Sequence, residues 1–71
     1  MLSIGEMAHS TGVSRRMLRH WESAGLLAPA LTDPVTGYRR YRDSQLGRVR
    51  AITELRALGF GLAEIKRFST D

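Results

Sequence analysis

Apolar residues recur at helical spacing in separate blocks along this chain, with turn-formers and strictly alternating residues between them. The first block is Ile4, Met7 and Ala8. Ser3 and Glu6 precede and enter it at the S-x-x-E spacing of a capping box, which predicts a short helix from about Ile4 to His9. Thr11-Gly12-Val13 reads as a tight turn, with Gly12 free to take a positive φ. Ser14 is placed to cap a second helix and Gly25 to end it. At about 100° per residue, Val13, Met17, Trp21 and Ala24 of that helix share one arc. Arg15, Arg16 and Arg19 fall in the opposite arc. Two short helices joined by a glycine-containing turn form a helix-turn-helix.

The pattern then changes period. Asp33-Pro34-Val35-Thr36-Gly37 has strong turn chemistry. In Tyr38-Arg39-Arg40-Tyr41 a period of two sends Tyr38 and Arg40 one way and Arg39 and Tyr41 the other. This predicts a two-stranded β-hairpin, a wing, tied to the helices by Leu27 and Tyr41 because two strands alone are unstable. Asp43 or Ser44 is placed to cap a third helix carrying Leu46, Val49, Ile52, Leu55 and Leu58, closed by Gly59. A fourth helix begins near Leu62, with Ile65 and Phe68 on its apolar edge, and Ser69-Thr70-Asp71 is expected to fray. The expected fold is therefore mainly α: a winged helix-turn-helix of four helices and a two-stranded hairpin, one domain over residues 1–71.

Charge gives this outline a chemical direction. The chain carries 11 basic against 7 acidic residues, a net charge of +4, and ten of the basic residues are arginine. Guanidinium groups offer planar, bidentate donors to phosphates and to guanine edges. Cysteine is absent, which excludes disulfides and thiolate metal sites, and His9 and His20 have no metal-ligand spacing. Neither a metal nor a cofactor is implied. No histidine–carboxylate pairing accompanies a serine and no glycine-rich loop follows a strand, so the chain does not read as an enzyme. The N-terminus lacks the basic and apolar regions of a signal peptide. No apolar run approaches the roughly 20 residues of a membrane span. A cytoplasmic location follows as the expectation, without a membrane partner.

The residues themselves offer Arg15, Arg16, Arg19 and His20 on the second helix and Arg39 and Arg40 on the hairpin as DNA contacts, with Tyr38 and Tyr41 open between core aromatics and one hydroxyl given to a phosphate. The helix cluster has one sign, with only Glu22 nearby. Arg19 is central in it and suits a base contact, whereas a wing arginine such as Arg39 suits phosphate. Charges on a hairpin also blunt an exposed strand edge, so that role stands beside the DNA contact for Arg39 and Arg40. His20 lies at the edge of the basic arc, where a phosphate contact and packing beside Val13 and Ala24 are both open. Trp21 is assigned to the core, with an indole N–H that needs a partner and has the DNA backbone as one option. Lys66 and Arg67 are assigned to the ordinary surface, with an outer phosphate as the alternative.

The order of these parts resembles the DNA-binding domain of the MerR family of bacterial transcription regulators. The resemblance rests on Ile4-Gly5-Glu6-Met7-Ala8, Gly12-Val13-Ser14, Leu18-Arg19-His20-Trp21-Glu22 and Gly25-Leu26-Leu27. It continues through Gly37-Tyr38-Arg39-Arg40-Tyr41, Leu55-Arg56-Ala57-Leu58-Gly59-Phe60, Leu62 and Glu64-Ile65, spanning nearly the whole chain. The resemblance implies that Ser14, Arg15, Arg16, Arg19 and His20 lie on the recognition helix. It places Tyr38, Arg39 and Arg40 on a first wing and makes the last two helices a second. It further implies sequence-specific binding of double-stranded promoter operators as a homodimer, with RNA polymerase an indirect partner through bent and undertwisted DNA. His20-Trp21 stands where the family commonly has an aromatic pair. The long dimerisation helix and the effector domain do not occur within the 71 residues, so the chain is expected to be a fragment of a longer regulator. Two other functions fit the residues alone: an architectural DNA-bending protein of the excisionase type, and a module whose basic face meets an acidic protein.

Overall fold

A computed structural model describes residues 1–69. The order is β1 (Leu2–Ser3), α1 (Ile4–Thr11), α2 (Arg15–Ser23), β2 (Leu31–Thr32), β3 (Arg39–Tyr41), α3 (Gln45–Ala57) and α4 (Leu62–Ser69). The fold is mainly helical, as expected. Residues 70 and 71, part of the segment expected to fray, lie outside the described residues.

Local capping sets the ends of the first two helices. Ser3 Oγ accepts from the Glu6 N–H at 3.1 Å, and Glu6 Oε1 accepts from the Ser3 N–H at 2.9 Å, completing the capping box. Helix α1 runs two residues beyond its expected end and stops at Gly12, whose φ of 75° turns the chain. Ser14 Oγ accepts from the Met17 N–H at 3.1 Å and opens α2. At the other end, Gly25 has a φ of 80° and the Leu26 N–H donates to Trp21 O at 2.9 Å, a Schellman closure. The closure directs Leu26 into the core.

The sheet departs from expectation. It has three strands in the order β1-β3-β2, all antiparallel, with Leu2 opposite Tyr41 and Ser3 opposite Arg40. Ser3 is extended, with φ −76° and ψ 165°, because it is the N-cap of α1, and the same geometry lets it pair with β3. The hairpin is thus fastened to the helix-turn-helix by backbone bonds. Leu27 and Tyr41 add the packing expected of them, both being buried.

Asp33 shapes the hairpin turn. Its Oδ1 accepts from the Val35 N–H at 2.8 Å and the Thr36 N–H at 3.1 Å, and Gly37 takes a φ of 75°. The Thr36 and Val35 amides hold the Asp33 carboxyl below the usual aspartate range. A depressed folded-state pKa means that stability is present above the unfolded value and is lost as pH falls through the folded one. The amide shifts of Val35 and Thr36 are therefore expected to titrate together at a midpoint below that of a free aspartate, and Asp33→Asn to remove the titration. A midpoint in the ordinary aspartate range would show that these hydrogen bonds do not form in solution.

Two expectations about the helices need correction. Ser44 precedes α3, but it is already helical at φ −60° and ψ −23° and makes no capping bond. The start of α3 is held instead by the Gln45 side chain. Its Oε1 accepts from the Arg42 N–H at 2.7 Å and its Nε2 donates to Ala28 O at 2.6 Å. On α2, Leu18 and Trp21 are buried, whereas Met17 is 42% exposed. Helix α2 is rotated about its axis from the predicted arc, because the neighbouring elements meet the Leu18 side.

The core consists of Met7, Leu18, Trp21, Leu26, Leu27, Tyr41, Val49, Ile52 and Ile65. Of the five apolar positions expected on α3, Val49 and Ile52 are buried, Leu46 and Leu55 are partly so, and Leu58 is 75% exposed. Each step of three residues falls about 60° short of a full turn, so a five-member series cannot keep both ends on one face. Phe68 is largely exposed but meets Phe60 edge to face at 5.5 Å.

Candidate nucleic-acid interface

With Leu18 and Trp21 turned inward, the solvent side of α2 centres on Arg16, Arg19 and His20 at about 100° per residue. Arg15 and Glu22 flank that centre on one side and Met17 on the other. All eight candidate residues are exposed: Ser14, Arg15, Arg16, Arg19, His20, Tyr38, Arg39 and Arg40. Ser14 also has a structural duty as the N-cap of α2.

The structure gathers some of these residues and separates others. Arg15, Tyr38, Arg39 and Arg40 line one cleft of about 280 Å³, together with Ser3, Ile4 and Gly5 at the start of α1. Arg15 reaches this cleft across Gly5. A Cβ at Gly5 would stand 2.7 Å from the Arg15 Nη2, so the missing side chain lets the guanidinium lie over α1. Arg16, Arg19 and His20 do not line the cleft and project from the open face of α2.

Glu22 was visible in the sequence only as a lone acid, and its partners were missed. The Tyr41 hydroxyl donates to Glu22 Oε1, and Arg39 Nε donates to Glu22 Oε2 at 2.9 Å. The Glu22 side chain is 10% exposed and that of Arg39 is 42% exposed. Burial raises the Glu22 carboxyl above the usual glutamate range, opposed by the Arg39 and Arg19 guanidiniums. The signal that could have found the pair was already in the hairpin's alternation. It put Arg39 and Tyr41 on one side of β3, and that side faces Glu22.

The indole nitrogen of Trp21 is enclosed and has no hydrogen-bond partner among the described residues, so it does not reach outward to a DNA backbone. Lys66 lies over the end of α2, its Nζ 2.8 Å from where a Cβ on Gly25 would stand. No group of three or more histidines, aspartates or glutamates among the described residues could hold a metal ion. None of the described helices is long and apolar enough to cross a membrane.

The chain is similar in sequence and fold to several known proteins. The nodulation protein NolA of Bradyrhizobium sp. (strain NC92) is 49% identical over 65 residues, covering 90% of this chain and 27% of NolA. The N-terminus of MtaN, the multidrug transporter activator of Bacillus subtilis, superposes with a TM-score of 0.89 at 34% identity, covering 100% of this chain and 66% of that one. HiNmlR, a MerR family regulator lacking the sensor domain and bound to promoter DNA, gives a TM-score of 0.83 at 31% identity, covering 94% of this chain and 50% of that one. The chain spans less than half the length of the curated relatives it matches. The family model for the MerR HTH family regulatory protein matches residues 2–70, and with the winged helix-turn-helix in place the chain belongs to that family.

Proposed function

We propose that this chain is the DNA-reading head of a bacterial transcription regulator. The observation that carries the reading is the outward face of α2. It presents Arg16, Arg19 and His20 from a helix whose other side is anchored in the core through Leu18 and Trp21. A helix held this way enters a major groove with its donors aimed at base edges. The cleft beside it, with Arg15, Tyr38 and Arg40, supplies donors for the flanking phosphates. Ser14 sits where α2 meets the duplex, and its hydroxyl hydrogen remains available to a phosphate while the oxygen caps the helix.

In this reading the full-length regulator binds a promoter operator as a homodimer and acts on RNA polymerase through the shape of the DNA, in the cytoplasm. Joining two heads raises affinity through effective concentration, by roughly 10²–10⁴ when half-site spacing matches. The promoter DNA held by HiNmlR supports the choice of ligand.

The test is selection of duplexes from a random library, first by this chain and then by two copies joined in one molecule. The single chain should enrich one short half-site, and the joined pair an inverted repeat of it. Enrichment of no sequence by either form would overturn the reading.

A further inference from the structure

Glu22 lies between the two parts that would touch DNA. It belongs to α2, and both of its carboxylate oxygens are occupied by β3, one by the Tyr41 hydroxyl and the other by Arg39 Nε. Tyr41 is fully buried and also pairs with Leu2 across the sheet, so its position is fixed by packing and by backbone. The Glu22 link therefore joins two rigid pieces, the recognition helix and the three-stranded sheet.

The link has an electrostatic consequence. An arginine already paired with a carboxylate adds no net charge to the interface and releases no counterion from DNA. Arg40, the next residue, has no carboxylate within ion-pair distance among the described residues. The Glu6 carboxylate acts on it through charge, but one Glu6 oxygen is engaged with the Ser3 N–H in the capping box. Adjacent arginines on one strand thus have different duties, in line with the alternation that sends their side chains to opposite sides.

Resting on the DNA-reading function above, we propose that Glu22 is a positioning residue that sets the angle between hairpin and recognition helix and takes up the charge of Arg39, leaving Arg40 as the phosphate-binding cation of the hairpin strand. Specificity then depends on an acidic side chain that does not itself touch DNA. A hairpin held at one angle lets both elements meet the duplex in one register. A hairpin released from Glu22 gains a free cation but loses that register.

Two measurements test this. The first uses no DNA. The chain has no cysteine, so spin labels can be placed through Ser23→Cys on α2 and Val35→Cys at the hairpin tip, both exposed positions. The label-to-label distance distribution should be narrow in the parent chain and broader with Glu22→Gln, which has one acceptor where glutamate has two. Equal widths would overturn the tether.

The second measurement is the slope of log K against log salt, on the selected half-site and on a duplex of mixed sequence. Arg40→Ala should shrink the slope by about 0.9, the value of one phosphate contact, and Arg39→Ala should leave it unchanged. Glu22→Gln should steepen it by about 0.9 as Arg39 becomes free, and should narrow the preference for the half-site over mixed sequence. Adding Arg39→Ala to Glu22→Gln should restore the parent slope. A slope lowered by Arg39→Ala alone and untouched by Glu22→Gln would assign the phosphate contact to Arg39 and overturn the charge assignment. Tyr41→Phe, which removes one hydroxyl and keeps the buried ring, should broaden the distance distribution without changing the slope. A parent chain that binds neither duplex would overturn the DNA-reading function, an outcome distinct from these because the label distances are measured without DNA.

Discussion

Leu18→Ala is expected to cost about 2–5 kcal/mol of folding stability, the usual penalty for removing a fully buried leucine side chain and leaving a cavity. Leu18 has no exposed surface and sits in the core with Met7 and Trp21. A domain of this length has roughly 4–10 kcal/mol in total, at about 0.05–0.15 kcal/mol per residue. The substitution therefore removes a large share of the stability, and the melting temperature should fall by roughly 10 °C or more. Met17→Ala is the control. Met17 is 42% exposed, so its truncation should stay within about 1 kcal/mol. Urea titration of both variants, monitored by circular dichroism, decides the orientation of α2. A larger loss from Met17→Ala than from Leu18→Ala would mean that the helix is turned the other way, and the proposed DNA face would turn with it.

The second large effect is on recognition. Arg19→Ala should weaken binding to the selected half-site by about 1–3 kcal/mol, a loss of roughly 5- to 150-fold, and relax the preference at one base position. Arg19 is on the outward side of α2 beside Arg16 and makes no ion pair among the described residues. Its guanidinium is free to make a bidentate contact with a guanine edge. Competition between the half-site and mixed-sequence DNA separates base reading from phosphate contact. Equal losses on both would make Arg19 a backbone contact. Unchanged affinity together with an unchanged selected sequence would remove it from the interface. The fold is not at stake in this variant, because the side chain is exposed and the helix cap at Ser14 is untouched.

These two predictions concern neighbouring residues on one helix, yet one depends on what the chain spells locally and the other on how the helix is turned. The cluster of arginines on α2 is legible in the sequence because Arg15, Arg16 and Arg19 fall together on any helix drawn through them. Which of them faces outward most directly depends on the buried stripe. Val13, Met17 and Trp21 form one plausible stripe and Leu18 with Trp21 another, separated by a rotation of less than one residue's step of about 100°. Only the positions of α1, α3 and the hairpin choose between them.

The same division runs through the rest of the molecule. The capping box of Ser3 and Glu6, the cap at Ser14, the closures at Gly12, Gly25 and Gly59, and the Asp33–Gly37 turn are all legible in short stretches of the chain. Each of these closes within about five residues, so the side chain and the backbone group it satisfies appear in one short window. Tertiary structure alone decided the rest. Strand β1 is two residues long, too short to show a period, and exists because Leu2 and Ser3 lie beside β3. The Gln45 bond to Ala28 replaced the expected cap because the chain returns past the start of α3. Tyr41 and Glu22 are 19 residues apart, and their contact depends on how the sheet packs against α2. Short-range hydrogen bonds select the elements, because each needs only its neighbours. The angle between elements, and with it the charge left for DNA, is set by contacts between residues distant in the chain, which form only when the core closes around them.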